Sequence, residues 1–167
     1  MGIRKTFAIL TATLGLTAGA VAGANSASAF EPWLQNYALS EDGAFCATPF
    51  GGSESNGAYV TQWECDEDHN TSQRWHWYGN RIVNNNSGKC LTPYGGGTAD
   101  GTILTIYDCN SDASQNWQVV YDAETAQSRI KNLQSKTYIT TYGGSKTHGA
   151  NLTLWRENNT DAQKWQF

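Results

Sequence analysis

The sequence predicts an all-β body made of one unit used three times and closed with internal threefold symmetry. Three observations predict it. The tripeptide Gln-x-Trp recurs as Gln73-Arg74-Trp75, Gln115-Asn116-Trp117 and Gln163-Lys164-Trp165, 42 and 48 residues apart. Self-similarity at such a period marks a repeated supersecondary unit. Gly, Asn, Thr and Ser abound while helix formers are sparse, the composition of short strands and tight turns. Each Gln-x-Trp also closes a segment that carries the same landmarks in the same order.

Those landmarks define the elements. The first copy reads Cys46-Ala47-Thr48-Pro49-Phe50-Gly51-Gly52, then Asn56-Gly57, then Val60-Thr61-Gln62-Trp63. The second reads Cys90-Leu91-Thr92-Pro93-Tyr94-Gly95-Gly96, Asp100-Gly101 and Leu104-Thr105-Ile106-Tyr107. The third reads Tyr138-Ile139-Thr140-Thr141-Tyr142-Gly143-Gly144, His148-Gly149 and Leu152-Thr153-Leu154-Trp155. The offsets are 44 residues and then 48, with the extra length in a polar turn around 122–127, where a repeat fold tolerates insertion. Each copy holds four extended runs; in the second they fall at 81–84, 89–92, 103–108 and 117–121. They alternate or are β-branched and aromatic, and turn residues bound them. Asn56-Gly57 and Asp100-Gly101 are strong hairpin signals because both residue types reach positive φ readily. Three copies of four runs make twelve strands, and no single copy can bury both its faces alone.

The chain has 167 residues and seven tryptophans. Residues 1–29 have a basic start at Arg4 and Lys5, an apolar stretch from Phe7 to Val21, and Ala27-Ser28-Ala29. That is the layout of a secretory leader cleaved near Ala29, so the protein is expected outside the cell. The organisation predicted is a leader at 1–29 and one domain at 30–167, with repeats at about 33–79, 80–126 and 127–167. Beyond the leader stand nine basic and fifteen acidic residues, a formal charge of −6, with no Lys/Arg cluster. Such a surface repels phosphate backbones, which argues against nucleic acid as a partner. No stretch after the leader is long and apolar enough to span a bilayer.

Cys46 and Cys65 are 19 positions apart, and so are Cys90 and Cys109. The equivalent positions of the third copy, Tyr138 and Glu157, lack both cysteines together, which implies pairing within each repeat. Export favours disulfides, so Cys46–Cys65 and Cys90–Cys109 are expected. Loops of this size stabilise by about 3 kcal/mol each on the chain-entropy model. No Cys-x-x-Cys or His-x-x-x-His spacing supports zinc, and nothing calls for another metal or a cofactor.

The run Ser87-Gly88-Lys89-Cys90-Leu91-Thr92, the Ile106-Tyr107-Asp108-Cys109 that follows and the Gln-x-Trp closures resemble the ricin B-chain-type β-trefoil lectins. The resemblance covers essentially the whole of 30–167, and the leader resembles those of secreted bacterial proteins. It implies a β-trefoil, a six-stranded barrel capped by three hairpins. It implies that Trp75, Trp117 and Trp165 fill the core while Gln73, Gln115 and Gln163 satisfy nearby backbone. The implied activity is carbohydrate binding at one shallow pocket per repeat. A sugar site needs an aromatic platform and a few fixed polar groups, and the resemblance places the platforms at Trp63, Tyr107 and Trp155.

Thr48, Thr92, Thr140, Asn56, Asp100 and His148 are the candidate polar partners, and Phe50, Tyr94 and Tyr142 form a second aromatic set beside the Gly-Gly turns. In sugar-binding members of that family an Asp typically stands where this chain has Thr48, Thr92 and Thr140. The amide often found two residues before the platform is replaced by Thr61, Thr105 and Thr153. The Asn that often precedes Gln-x-Trp is Ser72, Ser114 and Ala162. A hydroxyl lacks the charge that roughly doubles hydrogen-bond strength. Uniform Thr therefore points either to a different ligand or to a shared structural demand, such as bonding to turn backbone.

Asp66-Glu67-Asp68-His69 is an acidic loop two residues longer than its counterparts; its carboxylates are the hard oxygen ligands calcium takes, but it is read as a solvated loop. No nucleophile elbow or Ser/Cys–His–Asp order accompanies His69, His76 and His148, so a nucleophilic hydrolase is not expected. The sequence thus predicts a secreted, non-enzymatic binder of glycans or polysaccharides. A β-trefoil subunit that binds a secreted protein is the alternative.

Overall fold

The structure is a computed structural model, and it describes residues 33–39, 43–66 and 70–167. The expected leader, and Glu67, Asp68 and His69 of the acidic loop, lie outside the described residues. Eleven strands are present among those described: β1 (Gln35–Asn36), β2 (Phe45–Pro49), β3 (Val60–Glu64), β4 (Trp75–Tyr78), β5 (Arg81–Asn84), β6 (Cys90–Pro93), β7 (Leu104–Tyr107), β8 (Trp117–Asp122), β9 (Gln127–Asn132), β10 (Tyr138–Thr141) and β11 (Leu152–Trp155). They form three antiparallel sheets, β1-β2-β3, β4-β5-β6-β7 and β8-β9-β10-β11. The twelfth expected run is reduced to one residue pair. Gln35 and Gln166 exchange two backbone hydrogen bonds of 2.9 Å, because β1 offers only two residues to pair with.

Three hairpins, β2–β3, β6–β7 and β10–β11, repeat one register. Cys46 faces Trp63, Cys90 faces Tyr107 and Tyr138 faces Trp155. The hairpins lock head to tail in a ring. The turn glycine of each donates 2.8 Å to the third strand of the next: Gly57 N–H to Ile106 O, Gly101 N–H to Leu154 O, and Gly149 N–H to Gln62 O. This cyclic pattern is the closed threefold body that the repeat predicted and the β-trefoil that the resemblance implied.

Trp75, Trp117 and Trp165 are the largest buried side chains, packed with Leu34, Ile82, Leu91, Leu104, Ile106, Ile130, Ile139, Leu152 and Leu154. Their indole N–H groups are satisfied, Trp75 by Ala47 O at 2.9 Å and Trp117 by Leu91 O at 3.0 Å. Trp165 departs from the pattern and donates to Ala162 O, in its own turn. The three Gln side chains are fully buried. Gln115 accepts from Asn110 N–H and donates to Asp108 O and Thr92 Oγ1, and Gln73 and Gln163 repeat the arrangement. A second buried set, Asn36, Asn84 and Asn132, donates to Asp161 O, Ser72 O and Ser114 O at 2.7–2.8 Å. These amides convert the turns before each Gln-x-Trp into fixed platforms.

Both disulfides are present, Cys46–Cys65 and Cys90–Cys109, each with Cα atoms 5.0 Å apart. The third repeat closes the same gap without sulfur. Arg129, from β9, lies over the Tyr138 ring at 5.5 Å and pairs with Glu157 at 2.5 Å. No helix among the described residues is long and apolar enough to cross a membrane.

Candidate ligand clefts

Each hairpin carries a Gly-Gly turn whose backbone only glycine adopts without strain; Gly95 and Gly96 have φ of 60° and 69°. The turn lifts the preceding aromatic clear of the sheet, so Phe50, Tyr94 and Tyr142 are 64, 62 and 59% exposed. Opposite them stand the residues at the ends of the third strands. Trp63 and Tyr107 are each 46% exposed and Trp155 is half-buried.

In the second repeat this frame encloses a cleft of about 390 Å³, lined by Gly57, Tyr94, Tyr107, Asn110, Asp112 and Ser114 among others. In the third it encloses about 610 Å³, with Tyr142, Trp155, Lys146, Asn158 and Asp161 in the wall. In the first repeat a neighbouring ring lies against one face of Trp63, which stays as exposed as Tyr107. The His148 ring stacks on Trp63 with centroids 5.0 Å apart and 29° between planes, and Phe45 meets His148 edge-on.

The six threonines are placed as struts. Thr48, Thr92 and Thr140 are buried, and each hydroxyl donates to the carbonyl two residues back, at 3.0, 2.8 and 3.1 Å. Each also accepts from the Gln of its own Gln-x-Trp, at 3.2, 3.0 and 3.0 Å. Thr61, Thr105 and Thr153 donate across the hairpin to Thr48 O, Thr92 O and Thr140 O. A hydroxyl has one proton and two lone pairs, so the first set keeps one lone pair each and no proton for a ligand.

Asn56, Asp100 and His148 are brought to the platform of the following repeat, not of their own. Asn56 donates to Asp108 Oδ2 at 2.7 Å and accepts from Asp108 N–H, beside Tyr107. Asp100 accepts from the Arg156 backbone and Nε, beside Trp155. His148 Nε2 lies 4.0 Å from Glu64 Oε2, beside Trp63. Gly101 and Gly149 lie flat against the indoles; a β-carbon there would sit 3.7 Å from Trp155 and 3.5 Å from Trp63. Each of these aromatics is thus flanked by the hairpin turn of the preceding repeat, a grouping that alignment of the repeats does not reveal.

The second cleft holds two groups the sequence reading passed over. Asp112 stands where the other repeats have Asn70 and Thr160. The Ser114 backbone N–H donates to its Oδ1 at 2.9 Å, and that bond holds the carboxyl below the usual carboxylate range. Ser114, a residue of the cleft wall, has a buried Oγ with no hydrogen-bond partner. Its counterpart Ser72 Oγ is engaged by Asn70 Oδ1, and the third repeat has Ala162 there. Asp112 was legible as the one carboxylate in an aligned column; the orphaned hydroxyl was not.

The cyclic hairpins and their clefts define a lectin-type β-trefoil. The model of the ricin-type beta-trefoil lectin domain-like family matches residues 40–107, 71–155 and 113–167, and the chain belongs to that family. No curated protein matches it. Among solved structures it is similar to ThreeFoil, a designed 3-fold symmetric protein, at 21% identity and TM-score 0.70, covering 80% of this chain and 95% of that one. It is similar to 1,3Gal43A, an exo-β-1,3-galactanase from Clostridium thermocellum, at 24% identity and TM-score 0.69, covering 80% of this chain but 29% of the galactanase. It is also similar to the C-half of the earthworm R-type lectin in complex with GalNAc, at 12% identity and TM-score 0.64, covering 80% and 95%. At these identities the likeness speaks to the fold.

Proposed function

We propose that this protein is a secreted, non-enzymatic carbohydrate-binding module whose clefts are individually weak and act together on a multivalent glycan or polysaccharide. The second-repeat cleft carries the reading. It combines an exposed Tyr107 platform, an ionised Asp112 and the Ser114 hydroxyl within about 390 Å³. An apolar face for sugar C–H groups beside fixed polar groups for hydroxyls is the chemistry such a ligand requires. Asp112 offers the charged acceptor that Thr92 cannot, from a different position.

A further observation supports the reading. The second and third clefts are open at the surface, and a millimolar site is worth only about 4 kcal/mol, so useful affinity requires several clefts on one surface. The leader at 1–29 supports export. A glycan array, with plant cell-wall and chitin samples alongside, tests the proposal. Binding that falls in Tyr107→Ala and Trp155→Ala is expected; no binding to any glycan would overturn it.

A further inference from the structure

We propose that Tyr59 adds a second ring-binding subsite to the second-repeat cleft, so that this cleft takes two or more linked neutral sugar residues of a chain rather than one terminal sugar. The inference rests on the carbohydrate reading above and sharpens it.

Tyr59 belongs to the first repeat but lies at the seam with the second. Its backbone bridges to Thr105, a wall residue of the cleft. Its carbonyl is held by Phe50 N–H at 2.8 Å, so the residue is fixed. Its ring is 45% exposed and meets Tyr94 edge-to-face, with centroids 6.5 Å apart and 76° between planes. The equivalent positions in the other repeats are Ile103 and Asn151, so the threefold pattern does not account for a tyrosine here. Edge-to-face packing on Tyr94 holds the ring in place without burying it.

Tyr59 and Tyr94 therefore form a paired exposed aromatic wall of the cleft that Tyr107 also lines, the kind of apolar surface that marks a binding site. Tyr107, Asp112 and Ser114 serve one sugar ring at the inner end. The corner between Tyr94 and Tyr59 presents a second apolar face outside it. Asp112 is ionised over the neutral pH range, and like charge disfavours an acidic sugar beside it, which selects neutral residues. A single bound sugar leaves Tyr59 unused; a chain passing along the wall does not.

The test is calorimetric titration with cello-, xylo- and chito-oligosaccharides of one to six residues. Affinity for a productive series is expected to rise at least fivefold between one residue and three. Tyr59→Ile, which installs the residue of the second repeat, is expected to bring the longer chains back toward the monosaccharide, and Tyr59→Phe to retain the length dependence. Melting temperature and near-ultraviolet circular dichroism confirm that the variants fold. Affinity flat with chain length, or a length dependence unchanged in Tyr59→Ile, overturns the subsite while leaving the carbohydrate reading intact. Failure of every series to bind overturns this proposal, whereas failure on the glycan array is what overturns the reading beneath it.

Discussion

A threonine hydroxyl has limited capacity, and Thr92 spends its proton on Cys90 O and a lone pair on Gln115 Nε2. The three Gln-x-Trp copies were legible as core pegs, but the partner of each Gln was not, because it lies 23 to 25 residues upstream on another strand. Thr92→Val keeps the shape and removes both bonds. It is expected to cost about 1–3 kcal/mol in urea denaturation, the range for leaving a buried polar group unsatisfied. Sugar affinity lost without any loss of stability would show that the hydroxyl serves the ligand instead. Asp112→Asn is the converse experiment. It keeps an acceptor and removes its charge, so binding is expected to weaken about tenfold with little change in melting temperature. The repeat column exposed Asp112 as an odd carboxylate, but its place in the cleft depends on the Asn132 and Gln115 amides that hold the turn, and those contacts are tertiary.

At the scale of elements, one requirement has two solutions. The first strand of each hairpin must stay tied to the segment that leaves its second strand. Two repeats tie them with disulfides, and the third with Tyr138, Arg129 and Glu157. The joint loss of both cysteines made the pairing readable from the chain alone. The substitute was not readable, since Arg129 lies on β9, outside the aligned positions, and only the register with β10 brings it over Tyr138. Arg129 is largely covered while Glu157 is half exposed, so solvent screens part of their attraction. Arg129→Ala is expected to cost about 1–2 kcal/mol, the sum of a modest ion pair and a cation–π contact. The Cys90→Ser/Cys109→Ser double variant is expected to cost about 3 kcal/mol. One denaturation series checks both, and a larger loss from Arg129→Ala than from the double variant would contradict the ranking.

Over the whole molecule, the corners between repeats set both the acid response and the valency. Lys89 with Asn56 lowers the pKa of Asp108, Arg156 lowers that of Asp100, and backbone N–H groups lower those of Asp112 and Asp122. A carboxyl whose folded pKa lies below its unfolded value of about 3.8 contributes its stability above that value and loses it as pH falls through the folded one. Melting temperature is therefore expected to be insensitive to these groups from pH 8 to 5 and to fall below about pH 4. A decline already complete at pH 5 would contradict this. The corners differ in chemistry, amide to carboxylate, carboxylate to guanidinium and imidazole to carboxylate, and only the last lays a ring over its platform. Threefold symmetry on its own predicts three equal sites; His148 stacked on Trp63 makes the first unlike the other two. On the proposed reading, two clefts on one body multiply affinity for a surface, because the second contact is made at high effective concentration. Losing either of these clefts is then expected to remove most of that gain. On an immobilised polysaccharide, Tyr107→Ala and Trp155→Ala are each expected to lower retention about tenfold or more, and Trp63→Ala to change it less than twofold. Equal losses from all three would show that His148 yields to the ligand and that the module is trivalent.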